Sequence, residues 1–302
     1  GCFSLLYDAK TGKTEGIDGR GIAPAKATAD LFIKDGEVQD EWKDLGGQSV
    51  ALPGLLKTMD IVLKKYGTMT LKDVAAPAIR CARNGFGTSY TGALTMYDNS
   101  VERKMRLSEA FRKLYLKEDG SFYRFGEIQK NQEIADLLEN IAEQGVDYFY
   151  KGKVAKQIVD LINDRGGCFD VSEPKFREPV KTTYRGYEVA AFAPPSGGCA
   201  LVEMLNILEN YDVRSMGHNT AASIHALTES MKLGFADRSV ALGDPDFVNV
   251  DVERLTSKKF AHERFTLAGE KAGEFASADG IEAKQYPGNT SHFVVMDKDG
   301  NA

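Results

Sequence analysis

Cysteine and histidine are scarce in this sequence, with four of each in 302 residues. Cys2, Cys81, Cys168 and Cys199 are widely spaced, without a CxxC pair or metal-ligand spacing, which argues against a zinc or disulfide framework. They are expected to be small buried hydrophobes. The histidines are as scattered, so no metal and no cofactor is expected. Positive charge is short too. Lys+Arg 38 against Asp+Glu 44 gives a net charge of -6, so no global basic field attracts nucleic acid or an anionic membrane. No apolar stretch is long enough to span a bilayer, and the opening residues do not read as a signal peptide. Internal repeats, low-complexity tracts and Pro-, Gly- or Ser-rich linkers are all lacking, so the chain reads as one domain, or part of one.

What is present is a mixed pattern. Gly1–Tyr7 reads as a buried strand that turns at Asp8-Ala9-Lys10-Thr11-Gly12 into a second strand ending near Asp18. After Pro53, Leu55, Met59, Val62 and Tyr66 fall on one helical face, and Gly67 stops the helix. Thr70 with Asp73 is a capping box for a helix running to Gly85. Helices are expected over 134–144 and 154–164, with a less regular stretch between roughly 86 and 130. Tyr187–Phe192 is strand-like and meets a turn, Ala193-Pro194-Pro195-Ser196-Gly197-Gly198, that cannot be regular structure. A helix then opens with Leu201, Met204, Leu205 and Leu208 on one side, and a long helix covers about 221–240.

Near the end stands Gly288-Asn289-Thr290-Ser291-His292-Phe293-Val294-Val295-Met296-Asp297: a turn, a hydroxyl pair and the start of a short apolar strand. Taken bare, Thr290 and Ser291 could be strand-edge hydroxyls. Their neighbours in the sequence add to this. Tyr7-Asp8-Ala9-Lys10-Thr11-Gly12, Ile17-Asp18-Gly19-Arg20 followed by Ala23-Pro24, and Val50-Ala51-Leu52-Pro53-Gly54 come first. Tyr66-Gly67-Thr68, Pro77-Ala78-Ile79, Phe149-Tyr150-Lys151-Gly152 and Tyr184-Arg185-Gly186-Tyr187 follow. The set closes with the Pro194–Gly198 turn, Ala236-Asp237-Arg238 with Leu242-Gly243-Asp244-Pro245, and Thr290-Ser291-His292-Phe293. In this order the blocks resemble the γ-glutamyltranspeptidase family over nearly the whole chain.

The resemblance implies an α+β fold, the αββα four-layer sandwich of the N-terminal-nucleophile hydrolases, incomplete in this chain. It implies a cut between Asn289 and Thr290, with 1–289 as the large-subunit region and 290–302 as the first strand of the small subunit. Thr290 is then the catalytic nucleophile. Its hydroxyl is weak unless its proton is taken, and the α-amine freed by the cut can take it. The implied activity is that of a γ-glutamyltransferase or glutathione hydrolase: a γ-glutamyl-Thr ester forms and passes to water, an amino acid or a peptide acceptor. The implied partners are glutathione or other γ-glutamyl compounds and the chain's own small subunit. The implied location is periplasmic or extracellular, with a cytoplasmic one still open.

Arg20 matches the family residue that pairs with the substrate α-carboxylate, a task for a planar fork. The bare alternative is a surface salt bridge after a turn. Gly21 stands where the family usually has an acidic residue. Asp18 reads as a turn former. Ser291 and His292 would point to opposite faces of the nucleophile strand, and His292 reads equally as an active-site neighbour or a core histidine. The Pro194–Gly198 turn reads as structural, and Asp237, Arg238 and Asp244 as a buried ion-pair and turn network. In the family, the acid that holds the substrate amine and the Gly-Gly pair that stabilises the oxyanion lie beyond Ala302. Residues 1–302 alone should therefore be a very poor catalyst, since an oxyanion hole contributes ~3–4 kcal/mol. Two other readings stay open: an amide hydrolase or transferase acting on poly-γ-glutamate or acyl side chains, and an unprocessed, non-catalytic binding module.

Overall fold

The Asp8–Gly12 turn closes the first hairpin by local chemistry. The Asp8 carboxylate accepts the Lys10 N–H at 2.9 Å and the Thr11 hydroxyl at 2.7 Å, and Gly12 takes a left-handed φ of 67°. The computed structural model describes residues 1–167, 174–280 and 292–302. In chain order its main elements are β1 (Cys2–Asp8), β2 (Lys13–Gly19), α1 (Leu55–Tyr66), α2 (Leu71–Asn84), α3 (Gln132–Gln144) and α4 (Gly152–Asn163). Then come β3 (Lys175–Arg177), β4 (Val180–Tyr184), β5 (Tyr187–Ala191), α5 (Gly198–Leu208), α6 (Ala221–Ala241), α7 (Val252–Thr256) and α8 (Lys258–Phe265). This is the mixed helix-and-sheet class expected.

The chain forms two compact units, Gly1–Gly21 with Pro53–Thr58 and Glu173–Ala302, and Ile22–Leu52 with Met59–Ser172. No linker composition marks the passage between them. One crossing runs inside the continuous helix α1, so composition could not reveal it. The expected boundary at 289/290 lies outside the described residues.

In the first unit, β1, β2 and β3 form an antiparallel sheet in that order. The register sets Phe3 opposite Asp18, Gly16 opposite Arg177, and Asp18 opposite Lys175. β4 and β5 form a hairpin whose two-residue turn, Arg185 and Gly186, has φ 50° and 86°, both left-handed as a tight hairpin turn requires. Helix α5 is the centre of this unit. Its Cys199 and Val202 pack with Val180, Ala191, Leu255 and Phe260, and its Ile207 packs with Leu233 and Ala261. A Cβ on Gly234 of α6 would lie 2.6 Å from Met204 Cγ, so glycine there lets α5 and α6 approach closely.

In the second unit, Thr70 and Asp73 form the capping box that starts α2, and Gly85, at φ 102°, ends it. Asn131 caps α3 by accepting the Ile134 N–H. The two helices pack together, and Arg83 of α2 meets Asp136 at 2.7 Å and Glu139 at 2.8 Å on α3. The stretch expected to be irregular instead contains three short helices, Tyr90–Met96, Asn99–Leu107 and Glu109–Tyr115. Ser89 and Ser108 cap the first and third of these. The serine caps were the signal, and the interleaved charges hid it. Cys81 is exposed and Cys2 half-buried, against the expectation of burial, because α2 turns Cys81 outward and β1 is an edge strand. Cys199 is buried as expected, and Cys168 lies outside the described residues.

Candidate active site

Arg20 follows directly on the last residue of β2, and its exit from the sheet is held on two sides. On one side Gly19 packs on the start of α1, where a Cβ would lie 1.7 Å from Thr58 Oγ1. Thr58 is fully buried and donates its hydroxyl to Gly54 O at 3.0 Å, while a Cβ on Gly54 would lie 2.4 Å from Gly19 O. On the other side Asp18 Oδ1 accepts the Arg20 N–H at 3.2 Å. Asp18 Oδ2 meets Arg177 Nε at 2.9 Å. Asp18, expected as a turn former, instead lies within β2, where its carboxylate holds the Arg20 amide and is half of a shielded ion pair.

The Arg20 side chain is exposed, and its guanidinium carbon stands 6.0 Å from the centre of the Phe3 ring, at the reach of a cation–π contact. Phe3 in turn packs on Phe192, ring centres 4.7 Å apart. Among the described residues no carboxylate pairs with the Arg20 guanidinium, so the surface salt bridge of the bare reading is not seen there. What remains is a held, charged fork open to an anion.

A second cluster lies in the packing of α5, α6 and α8. Asp237 is buried and ion-paired with Arg264 at 2.7 Å. The expectation paired it with the adjacent Arg238. Consecutive helix residues point about 100° apart, so with Asp237 in the core Arg238 is exposed. Asp244 belongs to a different group, 3.7 Å from Arg177. Glu203, also buried, has no hydrogen-bond partner at Oε1 among the described residues. Burial, with the neighbouring Asp237 carboxylate, pushes its carboxyl up to about 10, so it is protonated at neutral pH. Burial and Glu203 likewise raise the Cys199 thiol to about 11, which leaves it a poor nucleophile. Sequence reading missed Glu203 and Arg264, since one charged residue on an apolar helix gives no sign of its depth.

From this cluster the chain leads toward the expected cut. Residues 269–278 run along α6 as a strap. His225 Nε2 contacts Gly269 O at 2.8 Å, and Glu229 Oε2 accepts the Gly273 N–H at 2.9 Å. Lys232 bridges Glu229 and Gly273 O. Arg264 donates to Ala276 O at 2.7 Å, and Asp237 accepts the Ala278 N–H. Burial works against the Glu229 charge, but Lys232 and the Gly273 amide outweigh it and hold the carboxyl below its ordinary value.

Asn289, Thr290 and Ser291 lie outside the described residues. His292 is exposed. Phe293–Met296 were expected to start an apolar strand. They pair with no strand among the described residues and are 71% to 78% exposed. The Asp297–Gly300 turn does form: Gly300, at φ 87°, donates to Asp297 O at 3.2 Å, and Asp297 accepts from Asn301. Ala302 then exchanges both backbone hydrogen bonds with Tyr7 of the edge strand β1, at 2.6 and 3.1 Å.

The family model described as Gamma-glutamyltranspeptidase matches residues 1–302. The chain belongs to the γ-glutamyltranspeptidase family. It is 38% identical, over 99% of its length, to the glutathione hydrolase proenzyme of Escherichia coli (strain K12), and covers 53% of that protein. It is 34% identical, over 94% of its length, to the acylase ACY 1 proenzyme of Pseudomonas sp. (strain V22), covering 52% of it. The crystal structure of Helicobacter pylori γ-glutamyltranspeptidase matches with a TM-score of 0.83 at 31% identity, over 94% of this chain and 82% of that one. The chain thus spans about half the length of the curated relatives it matches. Its fold is that of these N-terminal-nucleophile hydrolases, as the ordered sequence blocks implied. The Pro194–Gly198 turn delivers the chain into helix α5, whose N-cap, Gly197, offers no side-chain cap. Among the described residues no cluster of three or more metal-ligating side chains occurs, and no helix is long and apolar enough to cross a membrane.

Proposed function

We propose that this chain is the larger part of a γ-glutamyltransferase or glutathione hydrolase that cuts itself between Asn289 and Thr290. The observation that carries this reading is the Arg20 guanidinium, exposed and without a carboxylate partner among the described residues, on a backbone fixed from both sides. A planar fork held in this way suits the α-carboxylate of a γ-glutamyl group. Family membership supports the rest of the reading. The Thr290 hydroxyl attacks the γ-amide carbon and passes its proton to the Thr290 α-amine. The carbon–nitrogen bond breaks, the leaving amine takes that proton, and a γ-glutamyl ester remains. Water, an amino acid or a peptide then attacks the ester and restores the hydroxyl. Before the cut, the same hydroxyl attacks the Asn289 carbonyl carbon, a step favoured by proximity; the Asn289–Thr290 C–N bond breaks, the freed amine takes the hydroxyl proton, and water hydrolyses the resulting ester to separate the two chains. The partners are γ-glutamyl compounds such as glutathione and the chain's own small subunit, in the periplasm or outside the cell.

One observation favours a second reading. The acylase ACY 1 proenzyme is about as similar to this chain as several of the glutathione hydrolases. An acyl side-chain amide is then the alternative substrate. Kinetics on a chromogenic γ-glutamyl anilide, with the polypeptide as its gene encodes it, separate the two. Arg20→Lys keeps the charge and loses the fork, so KM for the anilide should rise while self-cleavage proceeds normally. An unchanged KM would remove Arg20 from substrate recognition. Preference for an uncharged acyl amide over the γ-glutamyl anilide would favour the acylase reading.

A further inference from the structure

Arg177 stands on β3, diagonally across from Asp18 on β2, and nothing in the reaction as described assigns it a part. The register explains how they meet: Gly16 faces Arg177 and Asp18 faces Lys175, so Asp18 and Arg177 share one face of the sheet two residues apart. The contact is well shielded, with the Arg177 side chain 15% and the Asp18 side chain 10% exposed. The same guanidinium reaches Asp246 at 3.4 Å and Asp244 at 3.7 Å, and Lys175 also pairs with Asp246. Burial works against the Arg177 charge, but Asp18 and Asp246 more than offset it and hold the guanidinium above its ordinary value. Arg177 is thus a rigid post, anchored by two carboxylates of the 244–246 turn, and its Nε is left to fix one oxygen of Asp18.

The other oxygen of Asp18 takes the Arg20 N–H. We propose that Arg177 is a positioning residue for substrate recognition: acting through Asp18, it fixes the backbone from which Arg20 reaches the γ-glutamyl carboxylate. The inference rests on the functional reading above. A carboxylate gripped through Oδ2 cannot rotate about its χ2 axis, so its Oδ1 stays aimed at one backbone amide. The neighbouring side of the chain is already immobile, since Gly19 packs against Gly54 and Thr58 with no room for a side chain. Gly21 contributes no side chain of its own. The direction of the Arg20 side chain therefore depends on Asp18, and the orientation of Asp18 depends on Arg177.

The test is a double-mutant cycle in the complete, self-cleaved protein, with γ-glutamyl anilide as the probe. Arg177→Lys keeps a positive charge among the three carboxylates but cannot hold Asp18 and Asp246 through separate nitrogens. It should raise KM about tenfold, with kcat within about twofold and self-cleavage complete. In an Arg20→Ala background the same substitution should have no further effect on KM, because its influence passes through Arg20. A merely structural Arg177 would lower the melting temperature and kcat and would add to Arg20→Ala. If Arg177→Lys does not fold, Asp18→Asn provides the reading: it keeps an acceptor for the Arg20 amide, loses the charge that holds Arg177, and should also raise KM. An unchanged KM in a folded Arg177→Lys or Asp18→Asn protein, or additivity with Arg20→Ala, would overturn the inference while leaving the proposed function intact. Absence of turnover in the unsubstituted protein would sink the functional reading and this inference with it.

Discussion

Glu203 shows how a single side chain can set the pH behaviour of a core. Its carboxyl keeps its proton in the folded state up to about 10, against an ordinary 4.5, mainly because it is buried. Unfolding at a pH between these values releases the proton, so the unfolded state binds fewer protons than the native one. The stabilisation is full below the ordinary value and is lost as pH rises toward the folded one, by at most about 1.4 kcal/mol per pH unit. Glu203→Gln copies the protonated form. Denaturant unfolding should then show a shallower decline in stability from neutral to alkaline pH than in the unsubstituted protein. Equal slopes would mean that Glu203 is ionised in the fold. Its neighbours Asp237 and Arg264 are a different case, since removing one partner strands a buried charge. Arg264→Met should cost roughly 3–5 kcal/mol in the same assay. Little of this was legible in the sequence. Asp237 was recognised as part of a buried ion pair, but its partner lies 27 residues away on another helix, and local spacing points only to neighbours.

At the scale of elements, the sequence was informative wherever the governing chemistry is local. The Thr70–Asp73 capping box, the Gly85 stop and the Asp8–Gly12 turn all formed as read. Thr70→Ala should lower stability by about 1 kcal/mol, measured as a shift in the denaturant midpoint with an unchanged slope. No shift would mean that α2 is held by its packing on α3 alone. The sequence was misleading where packing decides the face. In α1 the apolar residues Leu55, Met59 and Tyr66 are the exposed ones, while Thr58 and Asp60 are buried. In α6 Ile224, Leu227, Met231 and Phe235 form an exposed stripe while Glu229, Ser230 and Asp237 are buried. Both helices turn polar groups inward because those groups serve the fold there: Thr58 holds Gly54, and Glu229 and Asp237 hold the strap at 273 and 278. Periodicity locates such helices well and orients them badly.

At the scale of the whole molecule, family and fold were legible because many short blocks occur in order, and order along a chain is a property of sequence. The union of Arg20 with the nucleophile was not, since it depends on residues 281–291 and on how distant segments meet. Residues 1–302 expressed alone carry the α6 stripe and the exposed run Phe293–Met296, an unusual amount of bare apolar surface. That fragment should self-associate in light scattering, and adding the downstream polypeptide in trans should reduce the association; a stable monomer would contradict this. The central claim is that one hydroxyl, that of Thr290, serves both processing and turnover. Intact-mass spectrometry of the complete polypeptide tests it most directly, comparing the unsubstituted protein with Thr290→Ala. The account predicts two chains for the former, the second beginning at Thr290, and a single uncut, inactive chain for the latter. Two chains from Thr290→Ala would contradict it and pass the role to Ser291 or to an external protease.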